Sequence, residues 1–129
     1  MNYSNTDFNN KTILITGSNR GIGLELVKES LTKNFSVVGT FRNKNNAKEL
    51  LKLKSNNLKL FEMDVVKENS ILNVSNNIDY TIDYLICNAG INNGYGGIFD
   101  QDHSYEKMLE VLNVNVLGCI LTIKHFTRN

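Results

Sequence analysis

Apolar residues alternate along the chain between two patterns. Short apolar and β-branched runs occur at 12–15 (Thr-Ile-Leu-Ile), 36–38 (Ser-Val-Val), 58–61 (Leu-Lys-Leu-Phe) and 82–87 (Ile-Asp-Tyr-Leu-Ile-Cys). Runs of this length and composition predict strands. Between them, apolar residues return every three or four positions. Leu24, Val27 and Leu31 mark the first such stretch, with Ile22 and Leu26 widening its face. Ala47, Leu50, Leu51 and Lys54 mark the second, and Ile71, Val74 and Ile78 the third. A longer fourth stretch starts near Ser104 and carries Met108, Leu109, Leu112, Val116, Ile120 and Ile123. This spacing gathers side chains on one face of a helix. Strand–helix alternation predicts stacked βαβ units around a parallel sheet. Right-handed crossovers then place helices on both faces. Asn34 follows the first helix, and Asn56-Asn57 the second, where a left-handed cap residue is needed and Asn tolerates that conformation.

A chain of 129 residues suits one domain. It holds no repeat beyond this alternation and no dividing linker. Its 14 basic and 13 acidic side chains leave a formal charge of +1. That balance speaks against a nucleic-acid or membrane-surface partner, which would attract a basic excess. Asparagine occurs 21 times and proline never, but the asparagines are scattered among strong apolar segments. They read as compositional bias. Cys87 and Cys119 stand 32 positions apart, with neither a Cys-x-x-Cys pair nor a histidine cluster to make a metal site. They read as buried thiols in a reducing compartment. Residues 1–10 are polar and form a flexible leader without a signal peptide's apolar centre. The apolar stretch 111–123 is too short for a bilayer and contains Asn113 and Asn115. The expectation is a soluble, cytoplasmic protein.

The sharpest local signal is Thr16-Gly17-Ser18-Asn19-Arg20-Gly21-Ile22-Gly23, which leaves the first strand and opens the first helix. A chain can hold pyrophosphate at such a place. Gly17 allows the tight turn, Gly21 lets backbone approach a phosphate, and Gly23 lets the helix pack closely. The helix N-terminus presents free N–H groups and partial positive charge to the anion. A merely structural turn is the alternative reading. Strand, turn and helix in this order, with the βα alternation, predict an open parallel sheet in the order 3-2-1-4.

The spacing Thr-Gly-x-x-x-Gly-x-Gly resembles the fingerprint of the short-chain dehydrogenase/reductase family. Three further motifs agree in order. Asp64-Val65 follows the third strand, where the resemblance implies contact with adenine. Asn88-Ala89-Gly90 follows the fourth, where it implies sheet stabilisation beside the cofactor. Asn115 matches the helix asparagine of the family's catalytic tetrad. Cys87 departs from the asparagine that many members carry there. The resemblance spans about residues 11–126, and the runs 19–27 and 40–43 look most like C-factor-type carbonyl reductases. It implies a Rossmann-type doubly wound fold over residues 11–129, truncated after the fourth βα unit. It implies cofactor contacts from Gly17, Ser18, Asn19, Arg20, Gly21, Ile22, Gly23, Arg42, Asp64, Val65, Asn88, Ala89 and Gly90. Several of these positions have a second reading. Asp64 suits a helix cap, and Asn88 suits a turn. An unpaired Asn115 amide in a buried apolar helix would cost about 1–3 kcal/mol, so it needs a dedicated partner. Through the resemblance, that partner is a water and backbone relay to a lysine. The loop Asn93-Gly94-Tyr95-Gly96-Gly97 reads as a plain loop, with a substrate lid as the alternative.

Cofactor choice is legible after the second strand. An NAD enzyme places Asp or Glu there to bind the ribose 2′-hydroxyl. This chain has Gly39-Thr40-Phe41-Arg42-Asn43-Lys44, with no carboxylate. Arg42, 19 residues after Gly23, is suited to a 2′-phosphate, and Arg20 can approach the same group. NADP(H) is therefore favoured over NAD(H). Arg42 and Lys44 as solvated charges are the alternative.

The family's chemistry needs Tyr-x-x-x-Lys and a serine on the preceding strand. Four positions beyond Tyr3, Tyr80, Tyr84, Tyr95 and Tyr105 stand Asp7, Tyr84, Asn88, Phe99 and Leu109. None is lysine. The chain resembles the N-terminal half of an NAD(P)-dependent oxidoreductase acting on an unknown small carbonyl or alcohol. The isolated chain is expected to be inactive. A non-catalytic nucleotide-binding module and an inactive truncated product are the alternatives. Its fourth strand would be a sheet edge, and Val111, Val114, Leu117 and Leu121 would add apolar surface. Self-association, or pairing with a complementary chain, is the expectation.

Overall fold

Four parallel strands form one sheet: β1 (Thr12–Ile15), β2 (Ser36–Phe41), β3 (Leu58–Glu62) and β4 (Tyr84–Ile86), in the order β3-β2-β1-β4. The computed structural model describes residues 8–93 and 98–127. The expected order and parallel sense are both present. β2 runs three residues beyond its apolar triplet, and β4 is confined to three residues. All four residues of β1 are buried, because the sheet is covered on both sides. Ile13 and Ile15 face one core with Leu24, Val27 and Leu50. Leu14 faces the other with Met63, Ile71 and Val114. An uninterrupted apolar strand thus serves two layers.

Helices α1 (Gly21–Thr32) and α2 (Lys48–Lys52) supply the first core. Helix α1 ends as expected. Asn34 takes φ 63, its N–H donates to the Leu31 carbonyl, and the Phe35 N–H donates to that of Ser30. This pair of bonds closes the last turn, and Phe35 is buried behind it. Asn56 and Asn57 do not repeat the device. α2 stops at Lys52, and Leu53 is already extended (φ −63, ψ 130). The chain leaves straight toward β3, so no left-handed residue is required. A short 3-10 turn, Lys44–Asn46, precedes α2 and is not signalled by the periodicity.

The second core is covered by α3 (Glu68–Asn76), with Ile71 and Val74 buried, and by the long C-terminal helix. That helix comprises α4 (Tyr105–Leu112), a π turn (Asn113–Leu117) and α5 (Gly118–Phe126). Ser104 caps it by accepting the Lys107 N–H at 3.3 Å. Taken as one unit of 22 residues, it is long and apolar enough to cross a membrane. Here Val114, Gly118 and Thr122 are buried against the sheet layer instead, and Gly118 admits Val65 closely enough that a Cβ would lie 2.8 Å from its Cγ2. The face read as exposed apolar surface is only partly so. Leu117 is exposed, Val114 is buried, and Leu121 packs against the core. The open side carries Met108, Leu109, Leu112, Val116, Leu117, Ile120 and Ile123.

The lower end of the sheet is closed by aromatic rings and one ion pair. Phe8 stacks on Phe35 with centroids 4.3 Å apart, and Tyr84 meets both edge-on. The described chain therefore packs from Phe8 onward. Asp83 accepts from Lys11 Nζ at 2.8 Å and from the Thr12 N–H at 2.8 Å, which sets β4 against β1. The Lys11 ammonium holds the Asp83 carboxyl below its ordinary 3.8, with the Thr12 N–H helping. The same contact raises Lys11 above its ordinary 10.5. A depressed acid stabilises the fold above its unfolded pKa, and that contribution vanishes as pH falls through the folded value. Asp83→Asn is therefore expected to lower the urea midpoint at neutral pH. The gap to wild type should close well below pH 3.8, where Asp83 itself is protonated. Equal gaps at both pH values would contradict this role.

Candidate functional site

The upper ends of β1 and β4 are fastened together. Asn88 Nδ2 donates to the carbonyls of Thr16 and Gly17, each at 3.0 Å. The Ala89 N–H donates to Thr16 Oγ1 at 3.0 Å, and the Thr16 N–H to the Ile86 carbonyl at 3.0 Å. Gly17 turns out of β1 at φ +66, and a Cβ there would lie 2.8 Å from Ala89 Cα. Gly23 packs so tightly that a Cβ would meet the Gly17 carbonyl oxygen and lie 2.5 Å from Asn88 Nδ2. Both glycines are dictated by this close approach.

The loop so formed borders a cleft of ≈ 790 Å³ at the strands' C-terminal ends. Gly17, Asn19, Arg20, Gly21, Ile22, Gly23, Arg42, Asp64, Val65, Asn88, Ala89 and Gly90 all line it. Ser18 does not. It is fully buried, its Oγ donates to the Ile15 carbonyl at 2.7 Å, and its N–H donates to the Thr40 carbonyl at 2.7 Å. It fastens the loop to β1 and β2. Ile22, read above as widening the buried face of α1, is 75% exposed at the cleft. Asn43, Asn46, Met63, Ile91 and Val114 also line the cleft and carried no sequence signal of their own. The asparagines come from the 3-10 turn and its cap, Met63 from the end of β3, Ile91 from the loop after β4, and Val114 from the π turn.

The site can hold an anion. α1 begins there, its N-cap Arg20 makes no side-chain cap bond, and its first turn has no acidic residue. The opening N–H groups therefore bring an uncompensated positive end to the cleft. Among the described residues, neither Arg20 nor Arg42 meets a carboxylate. Among the described residues, Asp64 is the single acidic one lining the cleft. One of its oxygens accepts the Val66 N–H at 3.2 Å and the other lies 3.6 Å from Lys67 Nζ. It thus serves a turn before α3 as well as facing the cleft. Asn88 likewise satisfies backbone groups while bordering the cleft.

Asn115 sits at the centre of the π turn. Its Oδ1 accepts the Ile91 N–H at 2.8 Å and its Nδ2 donates to the Ile91 carbonyl at 2.9 Å. The expected dedicated partner is therefore the Ile91 backbone. The side chain lies in an exposed position, not in a buried apolar one. Asn115 does not line the cleft but holds Gly90 and Ile91, which do. One extra residue in a helical turn re-aims a side chain, and such turns gather at functional sites.

Cys87 and Cys119 are half-buried free thiols, with Cys87 Sγ 4.0 Å from the Cys119 carbonyl. Burial, reinforced by Cys119, pushes the Cys87 thiol up to about 12. It is held as an unreactive thiol. Residues 94–97, with Tyr95, lie outside the described residues. Asn93, just before them, donates to Glu110 Oε2 at 2.8 Å.

The model of a known family, the short chain dehydrogenases, matches residues 11–129. This chain belongs to the short-chain dehydrogenase family. One relative is a 3-oxoacyl-[acyl-carrier-protein] reductase of Buchnera aphidicola, 31% identical over 104 residues, covering 78% of this chain and 43% of the relative. Among solved structures, Sniffer of Caenorhabditis elegans, described as a candidate carbonyl reductase, superposes with a TM-score of 0.82 at 25% identity. The match covers 92% of this chain and 52% of Sniffer. A serine dehydrogenase in complex with NADP+ shares the fold, with a TM-score of 0.78 at 22% identity, covering 88% of this chain and 46% of its own. A short-chain dehydrogenase of the relatives' length is thus about twice the span present here.

Proposed function

We propose that this chain is the cofactor-binding part of an oxidoreductase that moves hydride between NADP(H) and a small carbonyl or alcohol in the cytoplasm. The observation that carries this reading is the cleft. A glycine loop and a helix N-terminus border it, and two arginines stand at it that meet no carboxylate among the described residues. The residues fit a dinucleotide phosphate. Gly17 and Gly23 leave no room for side chains where the backbone must approach, and β2 ends without the carboxylate that a free 2′-hydroxyl would call for.

In this reading residues 17–23 and the start of α1 receive the pyrophosphate. Arg20 and Arg42 grip the 2′-phosphate, Asp64 and Val65 border the adenine, and Asn88, Ala89 and Gly90 flank the nicotinamide side. Ser18 acts through the loop it fastens. Asn115 acts as a positioning residue by holding the Ile91 backbone. The bound cofactor supplies the hydride.

Fluorescence titration with NADPH and NADH tests the cofactor assignment. A charge-assisted bond to phosphate is worth about 1.5–3 kcal/mol. Arg42→Ala should therefore weaken NADPH about tenfold or more while leaving NADH nearly unchanged. Equal affinities that ignore the substitution would overturn the role of Arg42.

A further inference from the structure

The two arginines stand on different segments, Arg20 in the glycine loop and Arg42 just beyond β2, and one side-chain bond spans the gap between these segments. Asn19 Nδ2 donates to the Asn46 carbonyl at 3.2 Å, across 27 residues of sequence. We propose that Asn19 is a positioning residue for NADP selectivity: by tying the glycine loop to the turn after β2, it holds Arg20 and Arg42 where one 2′-phosphate can meet both. The proposal rests on the dinucleotide reading above and adds to it the residue that sets its selectivity.

The acceptor end of the tie is a fixed point. Asn43 Oδ1 accepts the Asn45 N–H at 2.8 Å, and the Asn46 N–H returns to the Asn43 carbonyl at 3.1 Å. The next residue, Ala47, is fully buried in the core and anchors the turn from behind. The donor end needs restraint. Residues 18–20 lie between Gly17 and Gly21, both at positive φ, and Arg20 is extended (φ −161, ψ 171). Ser18 is fixed to Thr40, but beyond it the loop runs along the cleft before α1 begins. Asn19 restrains that stretch one residue before Arg20. Like charges on the two segments repel each other, so a tie beyond the Ser18–Thr40 bond favours their close placement. Precise mutual placement of the two forks is what a bidentate phosphate site requires.

The chemistry separates this role from a general one. NADH lacks the 2′-phosphate, so it does not feel the spacing of the arginines. A residue that merely shaped the pyrophosphate loop would affect both nucleotides alike.

The test titrates NADPH and NADH into the wild-type chain, Asn19→Ala, Arg42→Ala and the double variant. Asn19→Ala should lower the NADPH-to-NADH affinity ratio about three- to tenfold, the scale of one lost hydrogen bond. The thermal midpoint should stay unchanged, because the bond is exposed. In an Arg42→Ala background, Asn19→Ala should leave the ratio unchanged, because there are no longer two arginines to hold together. An unchanged ratio in Asn19→Ala, or equal weakening of both nucleotides, would overturn the positioning role. So would a further loss of the ratio on adding Asn19→Ala to Arg42→Ala, which would mark Asn19 as a direct contact. Selective binding that depends on Arg42 but not on Asn19 would sink this inference and leave the NADP(H) reading standing. A wild-type chain that binds neither nucleotide would end both.

Discussion

Purified as 129 residues, the protein is expected to bind NADPH and to leave aldehydes and ketones unreduced. Hydride addition to a carbonyl leaves an alkoxide that must be protonated. A positioned acid contributes about 10²–10⁴-fold to such a step. The family's acid is a tyrosine with a lysine four residues on, and no tyrosine in this chain has that partner. The described tyrosines are also badly placed. Tyr84 packs edge-on to Phe8 and Phe35 at the lower end of the sheet, and neither it, Tyr80 nor Tyr105 lines the cleft. Tyr105 starts α4 and is 71% exposed. The measurement is NADPH oxidation against a panel of carbonyl compounds. Sustained turnover by the purified chain would overturn the expectation and make Tyr95 and Tyr105 the first acids to replace.

A second large effect is expected in the protein's mass in solution. The outer side of α4–α5 exposes seven large apolar side chains, from Met108 to Ile123, each 43–55% exposed. They form one continuous stripe, and apolar patches of this kind mark interfaces or aggregation. Among the described residues, β4 is one of the two edge strands of the sheet, β3 being the other. An edge strand with unpaired backbone groups recruits other chains unless charge guards it. Asp83 is the nearest carboxylate, but Lys11 and the Thr12 N–H already engage it. Size-exclusion chromatography with light scattering should therefore find a mass above the monomer's 14.6 kDa. Leu112→Glu and Ile120→Glu, which place charge in the stripe, should shift it toward the monomer. A monomer that survives dilution and binds no apolar dye would contradict the expectation.

The sequence by itself determined the sheet. The two central strands, β1 and β2, are buried runs because both faces are covered, whereas the edge strand β3 keeps Lys59 and Glu62 exposed, and each crossover helix has its own three-and-four periodicity. These are local signals, and the glycine loop after β1 orients them. The same motif identified every loop residue now found at the cleft, and of the seven it named only Ser18 is absent from it. Ser18 turns inward because the direction of its hydroxyl depends on where β1 and β2 end relative to each other, not on its neighbours in sequence. Asn43 and Asn46 escaped for a similar reason. Only the folded turn brings them across from Asn19.

The C-terminal helix shows most clearly what tertiary structure decided. Periodicity selected Met108, Leu109, Leu112, Val116, Ile120 and Ile123 as its apolar face, and that face is open. The buried positions are Val114, Gly118 and Thr122, chosen by fit against Val65 and the sheet layer. Apolar spacing reports that a face can be covered, and only packing decides which face is. The π turn adds one residue to the winding at that point, which changes the direction of every side chain after it. It also turns Asn115 onto the Ile91 backbone. Hydrophobic pattern is blind to such a change of phase, because the stabilising contact is a pair of hydrogen bonds to the loop after β4, 24 residues away in sequence.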